Sequence, residues 1–282
     1  MRAIRGVLPL AVLVLTGAAA TAREPQPQAE ALSKVGSMKF VPGRLTEPVT
    51  PPNEPDALEL NHGYRFLLNL APDCPPFCGV PDTDQFKISQ KPNSSYEALV
   101  DSTSGDIGPT LQVDRIASDG STVINSSVAV GVGFTRSLRF MNTTNTEIND
   151  QTVRVRSGGC TTDCGPDDVY FIRGYETTYS IPRFNNTGTQ ITVLLLQNPT
   201  NYTINGNIYF WNGAGTLIGT GTPFTLTAKQ VMVFNTATVA NGIGGSVTIA
   251  HDGRYGDLSG KTVALEPATG FSFDSPALPR IR

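Results

Sequence analysis

The sequence predicts an all-β protein of two β-sandwich domains, and three observations carry that prediction. Apolar residues recur with period two in short runs from about residue 58 to the C-terminal region. Turn formers are plentiful, with 28 Gly and 21 Pro, and Ser, Thr and Asn crowd the gaps between the runs. No segment between the runs repeats its apolar residues at helical spacing. Charged residues make up 16% of the chain, against about 25% in an average soluble domain, as suits short strands joined by tight turns.

The first 22 residues read as an export signal. Arg2 and Arg5 give a basic start, Val7 to Leu15 an apolar run, and Ala20-Thr-Ala22 the small-x-small cleavage pattern. The run is too short for a membrane span, which needs roughly 20 apolar residues. No later stretch supplies one, so a secreted or periplasmic chain without a membrane span is expected. Residues 23–57 hold seven prolines and little periodicity, and read as a linker.

The first domain is expected over 58–174. Its strands are read at Tyr64–Leu70, Gln85–Ser89, Tyr96–Val100, Thr110–Ile116, Thr122–Ile124, Ser137–Met141, Thr152–Arg156 and Val169–Arg173. The second is expected over 175–282. There Thr189–Leu196 ends in a run that reads as buried on both faces. Gly206–Trp211 runs into Asn212-Gly213, a hairpin signal because both residues tolerate positive φ. Thr216–Ile218, Phe224–Leu226, Val231–Phe234, Gly245–Ala250 and Thr262–Leu265 complete the set.

The four cysteines form two C-x3-C pairs. In an oxidising compartment, disulfides are favoured over a four-thiolate zinc site. The local pairings Cys74–Cys78 and Cys160–Cys164 are expected among the three that are combinatorially open. The formal net charge is −3 and there is no Lys/Arg run, so the electrostatic footprint of a nucleic-acid binder is missing.

Asn53 to Gly63, Asp82-Thr-Asp-Gln-Phe86, Ser95-Tyr-Glu-Ala-Leu99, Leu111 to Gly120 and Arg154-Val-Arg156 follow one another in the first domain. That order resembles the bacterial pre-peptidase C-terminal domain family over roughly residues 52–173. The resemblance implies a jelly-roll-like sandwich of the kind that accompanies secreted proteases, with relatives that bind calcium and collagen. The cysteine-bearing insert before Asp82 departs from the family pattern. In the second domain, Leu196-Gln-Asn198, Gly213 to Thr216 and Gly245 to Ile249 resemble Ig-like modules of bacterial extracellular proteins. That likeness implies a fold and a compartment, and no ligand.

Catalytic patterns are sparse. The chain has two histidines, His62 and His251, and neither H-E-x-x-H nor G-x-S-x-G. His251-Asp-Gly253 reads as a turn. Calcium is the cofactor the residues suggest. Asp82 and Asp84 stand two apart and share a face in an extended segment, and Asp106 lies in a Gly-containing loop that could join them. The same aspartates also suit turn caps, and Asp167-Asp168 is a poorer cluster. Tyr209 and Trp211 share one strand face, while Ile208 and Phe210 share the other. If the first pair faces solvent it offers a stacking strip for a sugar ring or a protein; otherwise the single Trp anchors the core. Sequons at Asn93, Asn125, Asn142, Asn185 and Asn201 are what such a composition produces by chance. The expectation is therefore a secreted, non-enzymatic protein with an adhesive, scaffolding or extracellular binding role. The alternative is a polysaccharide- or matrix-binding module beside a secreted hydrolase. Partners on either reading are extracellular polysaccharide, matrix or surface protein.

Overall fold

The computed structural model describes residues 40–42, 63–67, 83–102, 110–130, 134–157 and 169–280. The expected signal segment, most of the linker and all four cysteines lie outside them. The described chain is built of strands, with a short 3₁₀ turn at Thr236–Thr238 and no α-helix. No helix among the described residues is long and apolar enough to cross a membrane.

The N-terminal strands are β1 (Phe40–Pro42), β2 (Gly63–Leu67), β3 (Thr83–Lys87), β4 (Ser94–Ser102) and β5 (Leu111–Ile116). They continue as β6 (Val123–Ser126), β7 (Val128–Ala129), β8 (Arg136–Asn142), β9 (Thr152–Ser157) and β10 (Val169–Glu176). One sheet has the order β1-β2-β10-β4-β8-β7 and the other β3-β9-β5-β6. All their pairs are antiparallel except β1 with β2. Alternation fills the space between the sheets. Tyr96, Ala98 and Val100 of β4 meet Phe86 of β3, Val113 of β5 and Val155 of β9 in one buried cluster. Each such large apolar side chain contributes about 1.5–3 kcal/mol on burial.

The C-terminal strands are β11 (Tyr179–Asn185), β12 (Ile191–Gln197), β13 (Ile204–Asn212), β14 (Leu217–Leu226) and β15 (Val231–Asn235). After them come β16 (Gly244–His251), β17 (Ser259–Glu266), β18 (Phe271–Pro276) and β19 (Leu278–Pro279). The sheets β14-β13-β16-β11-β19 and β15-β12-β17-β18 enclose a second core, with Ile181, Phe184, Leu194, Ile208, Phe210 and Ile249. The chain is thus all-β and arranged as two β-sandwiches. Gly245 is required where β16 passes β13, because a Cβ there would lie 1.8 Å from the Trp211 carbonyl oxygen.

Two strand expectations are corrected, and two proline-bearing strands are added. Thr216–Ile218 and Phe224–Leu226 belong to one strand, β14, which runs on through Gly219 and Gly221 with a bulge against β13. β11 and β18 carry Pro182 and Pro276, and their weak alternation hid them. β12 is buried on one face only: Leu194 and Leu196 are fully buried, whereas Val193 and Leu195 are half-buried and Ile191 is exposed.

The two sandwiches share a corner that the sequence reading missed. Asn142 ends β8, and Asn198 follows β12. Each accepts at Oδ1 from the main-chain N–H and hydroxyl of the Thr two residues on, Thr144 or Thr200. Each donates from Nδ2 to the carbonyl four residues on, Thr146 or Tyr202. The repeated string Asn-x-Thr-Asn was the available signal. Asn142 is a sequon residue, and so is Asn93; both are 1% exposed, which leaves no room for a glycan on the folded protein.

Candidate functional site

Charged and polar side chains converge where the second sandwich meets the first. The outer face of β10, β4 and β8 is laid out by register. Tyr175 lies opposite Glu97, and Glu97 opposite Arg139; Arg173 lies opposite Leu99, and Leu99 opposite Ser137. The loop after β16 and the corner after β12 cover part of this face. They bring Arg254, Tyr255 and Asp257 from one and Tyr202 from the other.

Glu97 is the centre of the junction and is 2% exposed. Ser137 Oγ donates to its Oε1 at 2.6 Å, and the Tyr255 main-chain N–H donates to its Oε2 at 2.8 Å. Arg254 Nε stands 3.8 Å from Oε1, an ion pair without a hydrogen bond. Burial pushes the Glu97 carboxyl above its usual value, and the Ser137 and Tyr255 bonds oppose that rise. The Tyr202 hydroxyl donates to Asp257 and accepts from the Arg254 main-chain N–H. Its phenol is also pushed up, first by burial and then by the Asp257 bond. The Arg139 guanidinium stands over the Tyr202 ring at 5.1 Å, and Tyr175 stacks on Tyr255 at 5.1 Å.

A second set of contacts closes the other side. Arg280 reaches Ser94 at 3.0 Å and Glu176 at 3.2 Å. The Ser95 N–H donates to Thr178 Oγ1 at 2.9 Å. His251 is fully buried, accepts at Nδ1 from the Gly253 N–H, and packs on Tyr179. Burial holds its imidazole down at about 4, so it is neutral at physiological pH. It organises the turn that carries Arg254 and Tyr255. Ser137 and Glu97 form a hydroxyl–carboxylate pair, but the Tyr255 main chain seals it. The arrangement fastens one sandwich to the other, with the Tyr255 main chain bonded to Glu97 and Arg280 bonded to Ser94 and Glu176 across the seam.

The sequence-derived candidates fall elsewhere. Asp84 shares the inward side of β3 with Phe86, is fully buried and accepts from the Tyr170 hydroxyl. Asp82 and Asp106 lie outside the described residues, as do His62 and Asp167-Asp168. Among the described residues no three His, Cys, Asp or Glu side chains group to hold a metal. The Tyr209–Trp211 strip is corrected. Tyr209 is 3% exposed, its ring lying over Gly221, where a Cβ would come within 2.6 Å of it. Trp211 is half-buried and donates from Nε1 to Thr248 Oγ1 at 3.0 Å, so the pair forms no open stacking surface. Ile208 and Phe210 face the core.

One depression opens beside this sheet, with a volume of about 540 Å³. It lies at the β-bulge where Pro182 and Arg183 interrupt the pairing of β11 with β16, and Asn185, Asn212 and Ser246 line it. The Arg183 guanidinium is held 4.7 Å over the Phe273 ring.

Fold and junction together define a class: an all-β protein of two sandwiches fastened through a buried polar seam. No family model matches the chain, and no curated protein does. Among solved structures it is similar to that of infectious bursal disease virus Gx strain, at 18% identity over 67% of this chain and 61% of that one, with a TM-score of 0.18. It is also similar to that of infectious bursal disease virus Gt strain, at 16% identity over 69% and 63%, with a TM-score of 0.16. The chain therefore spans less than two thirds of either viral chain. At these scores the likeness bears on neither fold nor function.

Proposed function

We propose that this chain is an exported, non-enzymatic protein that acts outside the cytoplasm as an adhesive or scaffolding element. The junction is the observation that supports this most. Its polar groups join two sandwiches, with Glu97 and Ser137 buried and Arg254 and Tyr202 half-buried beside them. A stiff two-unit body suits a protein that holds a partner at a fixed distance. The N-terminal pattern ending in Ala20-Thr-Ala22 supports the compartment. The test is retention of the purified protein on insoluble polysaccharides and on collagen, combined with a broad hydrolase screen. Retention without turnover is expected. Turnover that disappears when a single carboxylate is replaced overturns the reading.

A polysaccharide-binding module is the second reading, and the depression at the β11 bulge favours it. Asn185, Asn212 and Ser246 suit sugar hydroxyls, and Arg183, braced on Phe273, suits a carboxylate or sulfate. Arg183→Ala should then weaken retention on acidic polysaccharide more than on neutral polysaccharide.

A further inference from the structure

We propose that two copies of this chain pair edge to edge through β15, antiparallel, about a two-fold axis at Val233. Four observations lead there, and the first is the direction of the backbone groups. The Asn198 N–H donates to the Gln230 carbonyl at 2.9 Å, which marks a hydrogen-bonded pair between β12 and the start of β15. Such pairs alternate along an antiparallel ladder. Met232 and Phe234 therefore bond Leu196 and Leu194, their register partners. The N–H and C=O groups of Val231 and Val233, and the Asn235 N–H, point away from the sheet. The Asn235 carbonyl accepts from Thr238 Oγ1 and has a second lone pair left.

The second observation is that this edge lacks the usual protection. Sheet edges are normally blunted by charge, proline, a bulge or shortness. β18 carries Asp274 and Pro276, β14 carries Pro223 and a bulge, and β3 carries Asp84 and Lys87. A bulge interrupts the pairing of β6 with β5, and β1, β7 and β19 have three residues or fewer. β15, Val-Met-Val-Phe-Asn, has none of these devices and keeps an unbroken register with β12.

Charge is the third. A two-fold sets an edge against its own copy, so any charge on it would repel itself. No Asp, Glu, Lys or Arg occurs from Gln230 to Ala250. Lys229, the nearest cation, is tied to the Pro199 carbonyl at 2.5 Å. The fourth is register. Centring the axis on Val233 puts Val233 against Val233 and Val231 against Asn235, all of them residues with outward backbone groups. The same pairing covers Val233, which at 67% is the most exposed large apolar side chain among the described residues.

A five-residue edge is a small contact, so the dimer should be weak, with dissociation on the order of micromolar. Sedimentation velocity of the purified protein from about 1 to about 200 μM should show a rise from monomer to dimer across that range. Val233→Lys, at an exposed site, should keep the circular dichroism spectrum and abolish the dimer. Oxidised Val233→Cys should give a covalent dimer on a non-reducing gel, with the wild-type chain as control for its own four cysteines. Thr225→Cys on the β14 edge should not. A chain that stays monomeric throughout, a dimer that survives Val233→Lys, or cross-linking at Thr225→Cys in place of Val233→Cys overturns the proposal.

Discussion

The outer face of β10, β4 and β8 carries Glu97, Asp101, Arg173 and Ser137, all buried. The outer face of β15, β12 and β17 carries Val231, Val233, Ile191 and Leu265, all exposed. Each face thus holds what a simple inside–outside rule would assign to the other. The difference separates two kinds of contact. A polar face is costly to bury unless its groups find partners, and those bonds are directional, so it favours one geometry. An apolar face has no such directional requirement and is tolerated in water when its patches are small. The junction is accordingly the orientation-setting surface of this molecule, and the valine-rich face imposes no such geometry.

Breaking the polar face should have the largest effect. Arg173 pairs with Asp101 on it, and Thr135 donates to the same carboxylate. Arg173→Met leaves that carboxylate buried without its cation, which should lower stability by about 3–5 kcal/mol. Urea unfolding of the two proteins measures the difference. A loss under about 1 kcal/mol would mean that water reaches Asp101 and that the face is not sealed.

Much of this contrast was hidden from the sequence, for a physical reason. Period two says which residues share a face, and it put Ile208 and Phe210 on one face of β13, which lies in the second core. It does not say what lies over the opposite face. Nothing in the sequence marks Glu97 and Arg173 as buried, because their partners Ser137, Arg254 and Asp101 come from other strands or a loop far along the chain. The reverse error arose at Val193-Leu-Leu-Leu196, where a continuous apolar run suggested a strand covered on both sides. The sequence left Tyr209 open between solvent and core, because the space its ring fills is made by a glycine on a neighbouring strand. The Asn142 and Asn198 corners share a string that the sequence reading passed over, and hydrogen bonds show that they are the same turn.

Next in size are two opposed pH effects at the junction. His251 is held down at about 4 from 6.5, so the unfolded chain binds a proton first as pH falls. Stability from this group is full above pH 6.5 and is lost toward pH 4, by about 3 kcal/mol in all. His251→Phe should flatten that acid limb of a Tm-versus-pH curve, although the unpaired Gly253 N–H will lower the whole curve. Glu97 works the other way. Its carboxyl is raised by burial, so its contribution is full below pH 4.5 and declines as pH rises through the folded value. Glu97→Gln should remove that decline, while Glu97→Ala should cost about 2–3 kcal/mol by orphaning the Ser137 and Tyr255 donors. Equal pH slopes in wild type and Glu97→Gln would show that Glu97 does not ionise inside a sealed junction.

The smallest effect should come from the apolar face, and it completes the contrast. Ile191 and Leu265 are register partners on β12 and β17 and are 40% and 43% exposed. Replacing either with Thr removes little buried area and keeps a side chain that suits a strand. Stability should therefore change by no more than about 0.5 kcal/mol in urea. Retention on a hydrophobic-interaction column should drop clearly, because that readout senses exposed apolar area and not packing. The two measurements separate the cases. A stability loss above about 2 kcal/mol would mean that this face is covered and packed like the polar one, since only buried methyl groups carry that much. Unchanged column retention would point the same way, and the two faces would then no longer be opposites.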